Sequence, residues 1–114
     1  MKQITNITNN SHQVFNMILD NGSVLVFSLN YLPAIQRWSF DISHSEITLN
    51  GKILAVLPNI LREFRNVISF GIMCFAMDNI DPFYIDDFSN GRVQIYILSS
   101  SEVQLIEDNL RSSA

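Results

Sequence analysis

The chain has 114 residues, of which 47% are hydrophobic and only 16% charged. That length fits a single domain able to bury a core without disulfide or metal staples. A net charge of −4 with no run of Lys or Arg argues against a surface that tracks nucleic-acid phosphates, and the lone cysteine, Cys74, excludes an internal disulfide.

Residues 1–11, MKQITNITNNS, are rich in Asn and Thr and lack the apolar core of a signal peptide. They read as a flexible arm or a short edge strand. Two apolar runs follow, 13–19 and 23–32, separated by Asp20-Asn21-Gly22. Asn-Gly supplies the positive φ angles of a type I′ turn, so the pair is expected as a β-hairpin. In the second run Leu25, Phe27, Leu29 and Tyr31 share one face. Pro33 then breaks the ladder, because it has no N–H to donate. Residues 36–43 alternate: Trp38, Phe40 and Ile42 point one way, while Arg37, Ser39, Asp41 and Ser43 point the other. That is the pattern of a half-buried antiparallel strand. Asn50-Gly51, between 46–49 and 53–57, repeats the turn signal. Behind Pro58, Ile60, Leu61, Phe64 and Val67 have helical spacing, enough for one or two turns. Residues 71–77 and 92–98 read as strands, with an Asp81-Pro82 loop between them. In 101–111, Val103, Leu105, Ile106 and Leu110 fall near one helical face. The longest apolar stretch, 68–77, is far short of the roughly 20 residues of a spanning helix, so no membrane insertion is expected. The elements predict a mainly β fold: a small antiparallel β-sandwich or barrel with one short internal helical turn and a C-terminal helix. The expected division is an N-terminal arm at 1–11, a β domain at 12–99 and a helical tail at 100–114.

The side chains that could carry chemistry do not form a recognisable site. His12, His44 and Cys74 are far apart in sequence, whereas a zinc site draws on three or four ligands with short-spaced pairs. Cys74 alternates with Ile72 and Ala76 inside an apolar strand and reads as a buried small hydrophobe. Asp78, Asp81, Asp86 and Asp87 form an acidic cluster. An EF-hand reading fails, because Ile80 and Pro82 fall at ligand positions and the sixth position is not Gly. Asp residues around a proline are turn formers, and Asp86 or Asp87 is placed to pair with Arg92. Nucleotide-binding and nucleophile-elbow motifs are absent. The expectation is a protein with no catalysis, no cofactor and no metal. Its nearest rivals are a small β-barrel binding module for a peptide or carbohydrate, using Trp38 or Tyr31, and a hydrolase using Asp78, Asp81 or Asp86.

Taken in order, DNGS at 20–23, the strand 36–43 and DPFYIDDFSNGRVQIYIL at 81–98 resemble the baseplate plug family of contractile-tailed phages. The positions that carry the likeness are Asp20, Gly22, Asn30, Arg37, Trp38 and Asp41, then Asp81, Pro82, Asp86, Gly91 and Arg92. The middle segment 61–65 is similar as well, with Phe64 where the family has Tyr. The likeness covers about residues 12–98. It departs at Leu32 and Pro33, where the family is usually polar, and ends before the helical tail. The resemblance implies a structural virion protein of the tail baseplate, made in the host bacterial cytoplasm, that plugs or stabilises the tail-tube/hub region before contraction. The implied partners are tail tube, hub and spike proteins, met in several copies of a symmetric assembly.

Overall fold

The computed structural model describes residues 2–19, 22–64, 68 and 70–112, with the side chains of Glu63 and 109–112 left aside. The strands are β1 (Lys2–Gln3), β2 (His12–Ile18), β3 (Val24–Leu32), β4 (Arg37–His44), β5 (Ile47–Ile53), β6 (Gly71–Ala76) and β7 (Val93–Leu98). A 3-10 turn spans Arg62–Phe64, and helix α1 spans Ser100–Ser112. β2-β3-β4-β5 form one antiparallel sheet, and β1-β7-β6 form the other. The mainly β architecture is therefore sandwich-like, with two open sheets and one C-terminal helix. No described helix is long and apolar enough to cross a membrane.

Period-2 alternation builds the core. Leu25, Phe27 and Leu29 of β3 and Trp38, Phe40 and Ile42 of β4 are buried with Ile72, Cys74 and Ala76 of β6 and Val93, Ile95 and Ile97 of β7, in one cluster. Phe27 stacks on Phe40, and Phe88 meets Trp38 edge-on at 5.1 Å. His44 extends the inner face of β4. Its Nδ1 accepts from the Glu46 amide at 3.1 Å, so its Nε2 carries the hydrogen that faces Ser23 Oγ at 2.9 Å. Both ring nitrogens are thus occupied.

The first Asn-Gly signal marks a hairpin as expected, β2–β3, whereas the second does not mark a turn. The β2–β3 hairpin closes at Leu19 and Ser23, and the Gly22 amide bonds the Leu19 carbonyl. Residues 20–22 lie between that closing pair, and Gly22 is left-handed at φ +85°. Asp20 and Asn21 lie outside the described residues. Asn50-Gly51 is not a turn at all. β5 continues through it as one strand, and the register slips so that Asn50 and Gly51 lie opposite Asp41. The Asp41 carboxylate accepts the Gly51 amide at 2.6 Å, and Gly51 takes φ +68°. The pair makes a β-bulge, because glycine's left-handed freedom serves a bulge as readily as a turn. The actual β4–β5 turn is at Ser45-Glu46.

The N-terminal segment lies along the second sheet. β1 pairs with β7, the Ile4 amide bonds the Ile95 carbonyl at 2.9 Å, and Ile4 is buried. Where the chain turns towards β2, Gln13 fastens it by accepting from the Thr8 amide and donating to the Thr8 and Asn10 carbonyls. Behind Pro58 the expected short helical turn is the 3-10 turn Arg62–Phe64; 65–67 lie outside the described residues. Before that turn, Asn59 Oδ1 accepts from the Leu61 and Ile72 amides. α1 starts on a capping box, with Glu102 accepting the Ser99 amide at 3.0 Å and Ser99 Oγ accepting the Glu102 amide. Its Val103 seats on Gly71, where a Cβ would come within 2.7 Å of the Val103 methyl. Gly71→Ala is therefore expected to cost about 1–3 kcal/mol from overpacking, measured by urea denaturation. Trp38, fully buried, is expected to cost about 3–5 kcal/mol when replaced by Ala in the same assay.

Candidate functional site

The residues singled out by sequence come together in two places. The first is the loop between β6 and β7, organised by Arg92. Its guanidinium grips the buried Asp87 carboxylate with Nε at 2.9 Å and Nη2 at 2.7 Å. The same side chain reaches Asp78 at 3.0 Å and the carbonyls of Ile80 and Asp81, and it lies over the Phe83 ring at 5.0 Å. Asp87 in turn accepts the Phe83 and Tyr84 amides, each at 2.8 Å. The loop's own backbone then faces the larger sheet. The Phe83 carbonyl accepts Tyr31 Oη at 2.9 Å, and the Tyr84 carbonyl accepts Trp38 Nε1 at 3.0 Å. Asp81 completes the attachment by accepting the Val56 amide at 2.8 Å and pairing with Arg37 at 3.3 Å. Pro82 is buried between these contacts, Asp86 is exposed with Asn9 at 3.4 Å, and Gly91 at φ +82° turns the chain into β7.

The second place is the outer face of the larger sheet. There Asn30 donates to Asp41 at 3.0 Å and meets His12 on its other side. With the Gly51 amide on Asp41, a polar ladder crosses β2, β3, β4 and β5. Gly22 lies apart from both places, at the β2–β3 turn.

Arg37, Trp38, Asp81, Pro82, Gly91 and Arg92 thus act on one loop, while Asn30 and Asp41 act on one sheet face. Asp87, not Asp86, is the organising carboxylate. Read from the residues alone, Asp86 and Asp87 were equal candidates to pair with Arg92, and the resemblance carried only Asp86. Tyr31 and the Phe83 and Tyr84 carbonyls carried no signal.

The electrostatics are those of a structural staple. Burial pushes the Asp87 carboxyl up, but the Arg92 hydrogen bonds and the two backbone amides outweigh it and hold the group below its ordinary value. The Asp87 hydrogen bond likewise raises Arg92 above its own. Asp78, Asp81 and Asp87 of the acidic cluster are engaged in this network, and no group of three possible metal ligands occurs among the described residues. Burial pushes the Cys74 thiol up to about 12, so it is no nucleophile at neutral pH.

Beside the staple lies an open cleft of about 490 Å³ lined by Ile35, Gln36, Arg37, Asn79, Ile80, Asp81 and Phe83. Gln36 at φ +50° and Asn79 at φ +56° are the non-glycine residues with left-handed backbone among the described residues, and both line it. Ile35, Ile80 and Tyr84 are exposed at 57%, 51% and 59%. Exposed apolar side chains thus lie beside Arg37 on and near a loop held from below by the Arg92 network.

Fold and site together define a structural subunit: a β-sandwich that presents a pinned loop surface. The family model for cyanophage baseplate Pam3 plug gp18 matches residues 1–101. The chain belongs to that family, and is a structural component of a phage baseplate, hence of the virion, and not an enzyme. The match reaches further than the 12–98 span of the sequence likeness, taking in β1 and the first residues of α1. No curated protein matches the chain.

Removing one partner of a buried ion pair is expected to cost about 3–5 kcal/mol, so Asp87→Asn should lower stability by that order at neutral pH. Because Asp87 titrates lower in the folded chain than in the unfolded one, its contribution is complete above about pH 3.9 and is lost as pH falls through the lower folded value. Denaturation across this range should show the gap between wild type and Asp87→Asn closing as the solution is acidified.

Proposed function

We propose that this baseplate plug protein closes or stabilises the tail-tube/hub region before contraction, seated against tube, hub and spike proteins in copies repeated by baseplate symmetry. The reading takes 12–99 as the body of the plug, with 1–11 and 100–114 as its peripheral pieces. It takes Asp20, Gly22, Asn30, Arg37, Trp38, Asp41, Asp81, Pro82, Asp86, Gly91 and Arg92 as the residues that shape it.

The observation that carries the proposal is the cleft rim. Ile35 and Ile80 stay exposed although the loop bearing Ile80 is held by an ion-pair network and by hydrogen bonds from Trp38 and Tyr31. Holding apolar side chains rigidly in water is unfavourable unless a partner covers them, and a preorganised rim lowers the ordering cost of binding. Left-handed Gln36 and Asn79 store backbone strain at the same rim. A plug must also hold a metastable neighbour without turning it over, which suits a contact surface with no catalytic group.

Quantitative mass spectrometry of purified particles tests this. Wild-type chain is expected at low, fixed stoichiometry with tube, hub and spike proteins. The double variant Ile35→Asp, Ile80→Asp should stay folded, with a stability change within about 1 kcal/mol because both sites are on the surface, yet be depleted from particles. Normal incorporation of the double variant would overturn the role given to the rim. Wild-type chain abundant in lysate but absent from particles would overturn the plug reading itself.

A further inference from the structure

The two open sheets leave four edges, and three of them are guarded. β1 is two residues long and carries Lys2. The free side of β6 is taken by the chain at 57–60, through reciprocal bonds of 3.1 Å between Leu57 and Cys74 and the Ile60 amide on the Ile72 carbonyl. β5 is bent by the Asn50-Gly51 bulge and carries Lys52. Short strands, lysines, bulges and covering segments are the devices that keep sheet edges from pairing.

β2 has none of them. Its seven residues, HQVFNMI, include no Lys, Arg, Asp, Glu, Pro or Gly, and its register with β3 is unbroken from His12↔Asn30 to Ile18↔Val24. The Leu19 amide bonds the Ser23 carbonyl and the Tyr31 amide bonds the Ser11 carbonyl, so the odd-numbered residues bond towards β3. By the alternation of an antiparallel ladder, His12, Val14, Asn16 and Ile18 direct their N–H and C=O groups away from it. Among the described residues nothing pairs with those groups. Val14 and Ile18 are 51% and 70% exposed on the same strand, and Val24 lies exposed directly opposite Ile18.

We propose that the free chain dimerises by antiparallel pairing of β2 with β2 of a second copy, on a two-fold axis at Phe15. This register sets His12 opposite Ile18 of the partner subunit and Val14 opposite Asn16 of the partner subunit. Each outward-facing residue then meets an outward-facing residue, and the whole strand overlaps. Phe15 meets its own copy across the axis, an aromatic cross-strand pair. A two-fold axis sets an edge against itself, so a self-pairing edge must carry no charge that would face its like. In a chain of net charge −4, β2 meets that requirement over its full length. The two four-stranded sheets then join into one continuous sheet.

Sedimentation of the full chain across a concentration series tests the pairing, together with amide hydrogen exchange. Wild type is expected as a concentration-dependent dimer, with slowed exchange at His12, Val14, Asn16 and Ile18. Val14→Pro removes a donor that the monomer does not use, and Asn16→Lys, at an exposed position, brings two cations near the axis. Each is expected to leave the far-UV spectrum unchanged and to weaken dimerisation at least about tenfold, or about 1.4 kcal/mol. A wild type that stays monomeric up to its solubility limit overturns the proposal. So does a dimer undiminished in either folded variant, or an open-ended oligomer where a two-fold pair would close.

Discussion

The ion pair between Arg92 and Asp87 is the contact on which the shape of one end of this molecule depends. Asp87 is fully buried, and a carboxylate so placed must be paired and hydrogen-bonded. Arg92 meets the need with a two-pronged contact, and the remaining acceptor capacity of Asp87 goes to the Phe83 and Tyr84 amides. Those bonds turn the Phe83 and Tyr84 carbonyls towards Tyr31 and Trp38, whose polar atoms would otherwise be buried without partners. One pair therefore satisfies the loop's backbone, the core tryptophan's indole and the junction between the sheets. It also consumes the charges that would make an acidic cluster look like a cation site.

What was legible in the sequence was what strand periodicity controls. Trp38, Phe40 and Ile42 alternate cleanly because one face of β4 is buried and the other is not, and the Leu25, Phe27 and Leu29 series of β3 reads the same way. The helix of the tail was visible in Val103 and its neighbours, but its cap at Ser99 was not. The Asn-Gly pairs were visible but ambiguous: the same local preference closes the β2–β3 hairpin and makes the β5 bulge, and only the partner strand decides between them. Asp87 could not be told from Asp86, because adjacent identical residues differ only in what the folded chain brings to each. For residues 1–11 the sequence left a flexible arm and a short edge strand open, because two residues have no periodicity to read, and the structure has the edge strand β1.

The resemblance built on 12–98 and the family match over 1–101 agree on the body of the protein. The motif positions do not form an active site; they hold a loop and decorate a sheet face. That is how a small subunit can keep a recognisable sequence without chemistry to protect. Its requirement is a rigid outline, and the residues that set an outline are those at turns, bulges and buried ion pairs. Leu32 and Pro33, where the chain departs from the family, lead into Ile35 at the cleft rim, so the departure falls beside the cleft and not in the core.

β7 passes into α1 with only Ser99 between Leu98 and Ser100, and the capping box fixes that joint from both sides. At its other end β7 follows directly on Arg92. A strand is nearly inextensible along its axis, and β7 is the central strand of its sheet, flanked by β1 and β6. Tension applied to α1 is therefore carried along β7 to the Arg92–Asp87 pair at the opposite end of the strand. The chain contains a tie-rod, with its grip at the helix and its anchor at the guanidinium.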